Sequence, residues 1–411
     1  MTHTDASRPL LRDAGYARIW LVGLATGVVR WLEMLALGVL AYDLTGSPAL
    51  TALLVMLRFL PLALFGLLLG ALADLVAPQR LMTWGLAAMA LISALMFALF
   101  RFGEPTYAHV CAAVLLSGVF WAGDLPVRRK IMADLVGAGA LTRAMAVDGA
   151  ASNGTRALGP VAGGALYQLV GTDGVFALSA LLYLAALVAA AGLPAPARAP
   201  AAAAERIAAR LLGPLRGAVS AARHALGDPD ARRILAVTIV FNIWGFPMLA
   251  MVPVLGRDPL GLSASAVGAL TSLEGLFAFL GSVVLARVAR PSPGAGRRLY
   301  FLAVALHLAM VGLIGLVGGV GGLAFGLAVA GGAAAAFSTM QSTLIWLVAP
   351  PEMRGRYLGL MTLCIGAGVL GFANIGLTAE WLGAADALKL SSLQGLLALA
   401  LIARGWRALR D

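Results

Sequence analysis

The sequence is poor in charge, and poorest in negative charge. Only 12% of its 411 residues are Asp, Glu, Lys or Arg, against 61% that are hydrophobic. A water-soluble domain is about a quarter charged and about half apolar. So small a polar complement cannot clothe one globule in water, and a soluble enzyme or soluble binding domain is excluded. Cysteine is nearly missing: Cys111 and Cys364 are the two present, they fall in different apolar runs, and they read as buried free thiols rather than a bridge. Histidine numbers four, with no H-E-x-x-H spacing and no His/Cys cluster, so no metal site is expected. Walker and G-x-S-x-G sequences are absent as well, which removes an ATP-driven pump and the commonest hydrolase chemistry. No cofactor is expected, and the chain does not read as an enzyme. Acidic residues number 19 against 30 basic ones, a net charge of +11. Whether that excess points to nucleic acid depends on where the arginines lie.

Long apolar runs are abundant. A span needs about 20 mostly apolar residues, and twelve stretches qualify: about 16–42, 48–73, 81–100, 106–131, 142–169, 174–192, 231–255, 263–288, 298–316, 321–348, 355–381 and 384–403. The first run is itself long enough to span, so no cleavable signal is expected. Twenty-four of the thirty basic residues then fall on one side, that of both termini, with Arg101, Arg257 and Lys389 opposite and Arg30, Arg58 and Arg156 within spans. Positive-inside bias puts both termini in the cytoplasm. The basic excess thus faces an anionic lipid leaflet, and nucleic acid is not needed as a partner.

The runs repeat. Residues 135–171 lie over 347–383 at a constant offset of 212, which aligns Gly154 with Gly366, Gly159 with Gly371, Gly164 with Gly376 and Gly171 with Gly383. Glycine lets helices approach closely in lipid, so matched glycines imply matched packing. The expectation is an all-α polytopic membrane protein of twelve transmembrane helices in two six-helix bundles: residues 1–192, a cytoplasmic linker at 193–230, and 231–411. In the linker, Ile207, Leu211, Leu215, Val219 and Leu226 alternate with Arg206, Arg210, Arg216 and Arg223 at roughly helical spacing, as in an interfacial amphipathic helix.

Several segments resemble the major facilitator superfamily, and within it the drug-efflux and siderophore-export branch that includes enterobactin exporters and macrolide efflux pumps. They are "LTGSPALTALL" (44–54), "GALADLVAPQR" (70–80), "GDLPVRRKIMADLV" (123–136), "SNGTRALGPVAGG" (152–164) and "APPEMRGRYLGLM" (349–361). The resemblance implies the major facilitator fold, alternating access, a bacterial cytoplasmic (inner) membrane, a monomer, and a small-molecule substrate moved against protons. It also implies a conformational latch at Gly70 and Asp74, with Arg80 and Arg354 or Arg356 as partners. The loop departs from the family pattern at Leu75, Ala77 and Pro78. Gly159, Pro160, Gly163 and Gly164 match the glycine-proline core of the fifth helix and imply a kinked, tightly packed helix between the halves.

Arg30, Glu33, Arg58, Arg156 and Glu274 all fall near mid-span. A centred charge costs about 2.5–3.5 kcal/mol on insertion scales, so five unpaired ones would cancel the net stability of an ordinary domain. They must face each other or water. Glu33 is the expected proton-coupling carboxylate, with Arg30, one turn away on the same helix face, as its counter-charge. Glu274 is the corresponding candidate in the second half. Asp148 fits either coupling or structure, and Asp124, one turn before Arg128, fits a structural pair. Arg58 and Arg156 serve as charge partners or contact an anionic substrate. Asn242, Gln341 and Asn374 either line a cavity or join helices, and His307 reads as a packed neutral side chain. The reading is a secondary transporter that exports a small amphipathic compound, a drug or siderophore, by proton antiport. A lysophospholipid flippase of the same fold and a non-transporting membrane receptor remain as alternatives.

Overall fold

The computed structural model describes residues 10–194, 217, 219–288, 293–404 and 406, with side chains for all of them except 67–75, 138, 139, 288 and 293. Among these residues the chain is helical almost throughout. The helices of the first half are α1 (Ala14–Thr45), α2 (Pro48–Leu75), α3 (Pro78–Phe102) and a continuous run, Tyr107–Ala191. That run breaks at Gly137 (φ 67°) and Gly171 (φ 72°), which divide it into α4 (107–136), α5 (138–170) and α6 (172–191). A side chain at either break would be strained, since positive φ is open mainly to glycine. The sequence predicted loops at these places, and single glycines do the work instead.

The second half has α7 (Pro229–Arg257), α8 (Ala264–Val288), α9 (Pro293–Val317), α10 (Gly319–Val348), α11 (Pro351–Leu382) and α12 (Ala384–Arg404). Each helix is long enough to cross about 30 Å of hydrocarbon. Every third helix shows lipid a row of large apolar side chains: Leu91 and Leu95 on α3, Leu181 and Leu184 on α6, Leu302 and Leu306 on α9, Leu393 and Leu397 on α12. In water such stripes would aggregate; in a bilayer they are the solvent-facing surface.

The apolar core changes along the membrane normal. At the end that carries the termini each half has its own cluster, around Tyr16, Met82, Ile131 and Tyr183 in one and Ile234, Tyr300, Leu344 and Tyr357 in the other. At the far end a single cluster joins Leu35, Val39, Ala52 and Val55 to Met248, Val252, Phe372 and Ile375. The two bundles are therefore fused at the far end and separately packed at the terminal end.

Glycine contacts bring helices close both within each half and, at Gly164 and Gly376, across the fused end. A Cβ on Gly163 would sit 2.4 Å from the Leu32 carbonyl oxygen of α1, and one on Gly164 would sit 2.2 Å from the Ala264 oxygen of α8. Gly159 and Gly371 do equivalent jobs, the first against Trp31 and Leu32 of α1, the second against Asn242 and Ile243 of α7. Gly164 and Gly376 match in the same way, against α8 and against Ala49 and Ala52 of α2, and Gly171 and Gly383 both turn at positive φ. Gly154 and Gly366 do not match: the first faces open space and the second touches Ala63.

Prolines use the same contacts. Pro160 has no N–H for the carbonyl of Arg156, and Gly275 of α8 packs against that oxygen; Pro247 likewise frees the oxygen of Ile243, which faces Gly371. Cα–H groups of a glycine can approach such an oxygen, where a larger residue could not.

Helix 219–227 of the linker packs Ala221 and Ala225 into the second half and leaves Val219 and Leu226 exposed. The rest of its expected apolar face, Ile207 to Leu215, lies outside the described residues.

Gly164→Leu is expected to force α5 and α8 apart and to destabilise the fold by about 1–3 kcal/mol, with a lower melting temperature in thermal unfolding of the purified protein. Gly149→Ala, where a Cβ meets nothing within 4 Å, is expected to leave the melting temperature unchanged or slightly higher.

Candidate functional site

At mid-depth the first half holds a connected set of charges. The Arg58 guanidinium of α2 donates to Glu33 of α1 at 2.8 Å, to the Ser117 hydroxyl of α4 at 3.2 Å and to the Arg30 carbonyl at 3.0 Å. Both members of the Arg58–Glu33 pair are about 95% buried. Arg30 reaches the other way, to Asp124 of α4 at 3.3 Å, and stacks on the Trp121 ring with its guanidinium carbon 3.8 Å from the centroid. Arg128 lies 3.7 Å from Asp124 and also pairs with Asp148 of α5. The expected partnership of Arg30 and Glu33 is thus replaced by two interhelical ones. Neighbours on one helix face project side by side, whereas a neighbouring helix offers each charge an opposing group end-on.

Among the described residues, one buried ion pair crosses between the halves. Arg156 of α5 donates to Glu274 of α8, the carboxylate side chain 4% exposed and the guanidinium 23% exposed. Arg156 also lies 5.4 Å from the Trp31 ring centroid. Trp31, Arg156, Pro160, Leu249, Pro253 and Glu274 line a cavity between the bundles that encloses about 20 Å³, room for about one water molecule. On α7 the lining residues Leu249 and Ala250 sit in a 3₁₀ turn, Phe246–Ala250, that follows a π-turn at Phe241–Gly245, and Pro253 lies in the α-helical turns beyond. Such turns recur at functional sites and break the helix ladder where Pro247 removes a donor. The arrangement holds two opposite charges away from lipid, beside room for about one water molecule.

Beside this cavity four rings meet across the interface. Phe59 of α2 stacks on Phe372 of α11 at 5.6 Å and meets Phe246 of α7 edge-on at 5.5 Å and Trp121 of α4 at 5.9 Å. Edge-to-face contacts of this kind add stability beyond burial. Toward the far end, Arg257 pairs with Asp43 at 2.8 Å, and Tyr167 donates to the same Asp43 at 3.1 Å.

The remaining sequence candidates are placed as follows. Asn242 donates to the Thr238 carbonyl at 2.9 Å, Gln341 to the Thr238 hydroxyl at 3.2 Å and Asn374 to Gln394 at 3.3 Å, all within the second half, and none of the three lines the cavity. His307 is buried, with Nδ1 3.0 Å from the Ala330 oxygen. Gly70 and Asp74 end α2, but their side-chain surroundings lie outside the described residues. Arg80 and Arg356 are exposed, and the Arg354 guanidinium lies 3.6 Å over the Trp346 ring. Both cysteines are free. Sequence reasoning missed the four-ring cluster, Trp31, and the Asp43–Arg257 pair. The signal for the last was two opposite charges beside predicted far-side turns; the rings carry none, since an apolar run looks alike on its lipid and interface faces.

Comparison with known proteins agrees with this geometry. The family model of the Major Facilitator Superfamily matches residues 19–373. The chain belongs to that superfamily. Among solved structures it is similar to the nucleoside transporter NupG (13% identity, 95% of this chain and 99% of that one, TM-score 0.74). It is also similar to the human organic anion transporter MFSD10 (21%, 96% and 100%, TM-score 0.66). A third is a bacterial homolog of the human lysosomal transporter Spinster, in an inward-facing and unoccupied conformation (14%, 97% and 96%, TM-score 0.69). No curated protein matches the sequence. At these identities the structural likeness establishes the fold alone, and the family match makes the chain a multi-pass membrane protein of a transporter superfamily.

Removing one member of the buried Arg58–Glu33 pair is expected to cost about 3–5 kcal/mol, because it strands the other charge. Arg58→Leu should therefore unfold at lower temperature than the double variant Arg58→Leu/Glu33→Leu. A double variant as unstable as the single one would show that Glu33 is not stranded.

Proposed function

We propose that this protein is a proton-coupled exporter of a small amphipathic compound, a drug or siderophore, working by rocking its two bundles around the central cavity. The observation that carries the reading is the Arg156–Glu274 pair, which joins the halves in the cavity wall. A rocking motion that separates α5 from α8 would part these charges and expose Glu274 to water. An opposing guanidinium favours the ionised carboxylate, and its departure favours the protonated one. Proton uptake and release would then follow the motion. Glu33 and Asp148 pair within one half and would keep their partners as the halves rock, so Glu274 is the better coupling site and the other two fit a structural role. The charge bias supports a cytoplasmic terminal end, in a bacterial cell by the resemblance; the fused far end would then be the outer gate, closed in this conformation. The Asp74 latch would act in the opposite conformation, at the cytoplasmic end, and the chain would work as a monomer.

The cavity is too small for a substrate as it stands, so loading requires the bundles to part on the cytoplasmic side. Its lining suits an amphipathic compound: Trp31, Met34, Leu35 and Leu249 supply apolar contact, and Arg156 and Glu274 supply charge. The flippase alternative calls for a lateral opening that leads to the charges. A lipid-facing groove of about 320 Å³ does lie between α3 and α4, bounded by Trp84, Val119 and Phe120. It stops short, since the Asp124 side chain at its floor has no exposed surface.

The test is flux of amphipathic dyes and siderophore-like compounds from liposomes under an imposed proton gradient. Wild-type flux should depend on the gradient. Glu274→Gln should lose that dependence, and Glu33→Gln should keep it while lowering stability. If no such compound moves, the receptor reading replaces this one. Gradient-dependent flux that survives Glu274→Gln intact would remove Glu274 from coupling.

A further inference from the structure

Two helices at the far end begin under a cap supplied by the opposite bundle. Ser47 precedes α2, and its hydroxyl accepts from the Leu50 N–H at 3.1 Å. Ser263 precedes α8 and accepts from the Ala266 N–H at 3.3 Å in the same way. Each serine leaves the next orphan donor of its helix to a residue from across the interface. Glu380 of α11 accepts from the Ala49 N–H at 3.1 Å and from the Ser47 hydroxyl at 2.7 Å. Gln168 of α5 accepts from the Ser265 N–H at 3.2 Å and the Ser265 hydroxyl at 2.6 Å. In both copies the capped N–H lies two residues after the serine. Gln168 and Glu380 also stand 212 residues apart, the offset of the glycine repeat. Each follows by one turn the glycine at which the backbones cross, Gly164 against Ala264 and Gly376 against Ala52.

We propose that Gln168 and Glu380 are the paired catches of the outer gate, and that Glu380 makes the gate sensitive to acid on the side it faces. Both caps join one half to the other, so separation of the bundles at this end breaks both together. Their difference is chemical. The Gln168 amide is neutral at any pH, whereas Glu380 is a carboxylate set against the positive end of the α2 dipole. The ionised form favours the closed gate. Protonation removes the charge–dipole attraction and the stronger, charge-assisted bonds, so acidification favours opening.

Other ionisable groups face the same end: Tyr42 on α1, Asp258 beyond α7, and the Asp43–Arg257 pair. The test must therefore isolate Glu380. The inference rests on the rocking reading above, because a gate exists only if the halves move.

The experiment measures distances between spin labels at Leu44→Cys and Leu382→Cys, both more than half exposed on opposite halves. Cys111→Ala and Cys364→Ala supply the background, and the full chain is reconstituted in lipid nanodiscs at neutral and acidic pH. Acid should raise the ratio of open to closed gate about two- to fivefold in the parent protein. E380Q, which copies Gln168, should lose most of that response, and Q168E should enlarge it. E380A and Q168A should each raise the open fraction at neutral pH, by about two- to tenfold in the ratio. Movement with an acid response unchanged in E380Q would overturn the proposal for Glu380. Movement indifferent to both alanine variants would overturn the pair of catches while leaving alternating access intact. A single fixed distance in every variant and at both pH values would overturn the rocking reading itself.

Discussion

An ion at mid-bilayer depth cannot stay unpaired, and much of this molecule follows from how that requirement is met. Four guanidinium groups, on Arg30, Arg58, Arg128 and Arg156, are matched by the carboxylates of Glu33, Asp124, Asp148 and Glu274. Three of the acids pair within the first half, where they tie α1, α2, α4 and α5 into one unit. Their loss would strand charges in hydrocarbon, so the network resists rearrangement. The fourth acid lies in the second half and pairs across the interface. Among the described residues, one half is thus knit by charge and meets its partner at mid-depth through one buried ion pair.

The second half solves its polar problem differently. Thr238, Tyr300, Gln341 and Asn242 form a buried hydrogen-bonded group, and Trp244, Gln394 and Asn374 form another. These groups are neutral, and interhelical bonds of this kind contribute modestly in membranes. The two halves share a fold and a repeat of close-packing glycines, yet one is knit by charge and the other by neutral hydrogen bonds. Repeat symmetry therefore governs how backbones approach and does not extend to the polar side chains between them.

The interface has its own logic. Across it Pro160 frees the carbonyl oxygen of Arg156, and Gly275 of α8 closes over it; within the second half Pro247 frees that of Ile243, which Gly371 faces in the same way. These contacts are backbone to backbone, with little to hold them beyond shape and weak hydrogen bonds. Such surfaces carry no charge of their own, and the Arg156–Glu274 pair beside them supplies it. The apolar ring cluster of Phe59, Trp121, Phe246 and Phe372 is of the same kind.

Twelve spans, their ends within a few residues, the internal repeat and the mid-span charges all follow from hydropathy, glycine spacing and composition. These are local properties: a run of apolar residues must span, and a charge within it must be neutralised, whatever the neighbours. Partner choice is not local. Arg30 and Glu33 stand one turn apart on α1, and nothing in their spacing says that one turns to α4 and the other to α2. That is set by how far each helix rotates about its axis, a quantity decided by packing against several others at once. The same holds for the rings at the interface, for the crossing of Arg156 to Glu274, and for the end at which the bundles fuse. Residue order along the chain determined which groups had to be satisfied, and only the tertiary structure decided by whom, because helix rotation and bundle tilt bring together side chains from 25 to 333 positions apart.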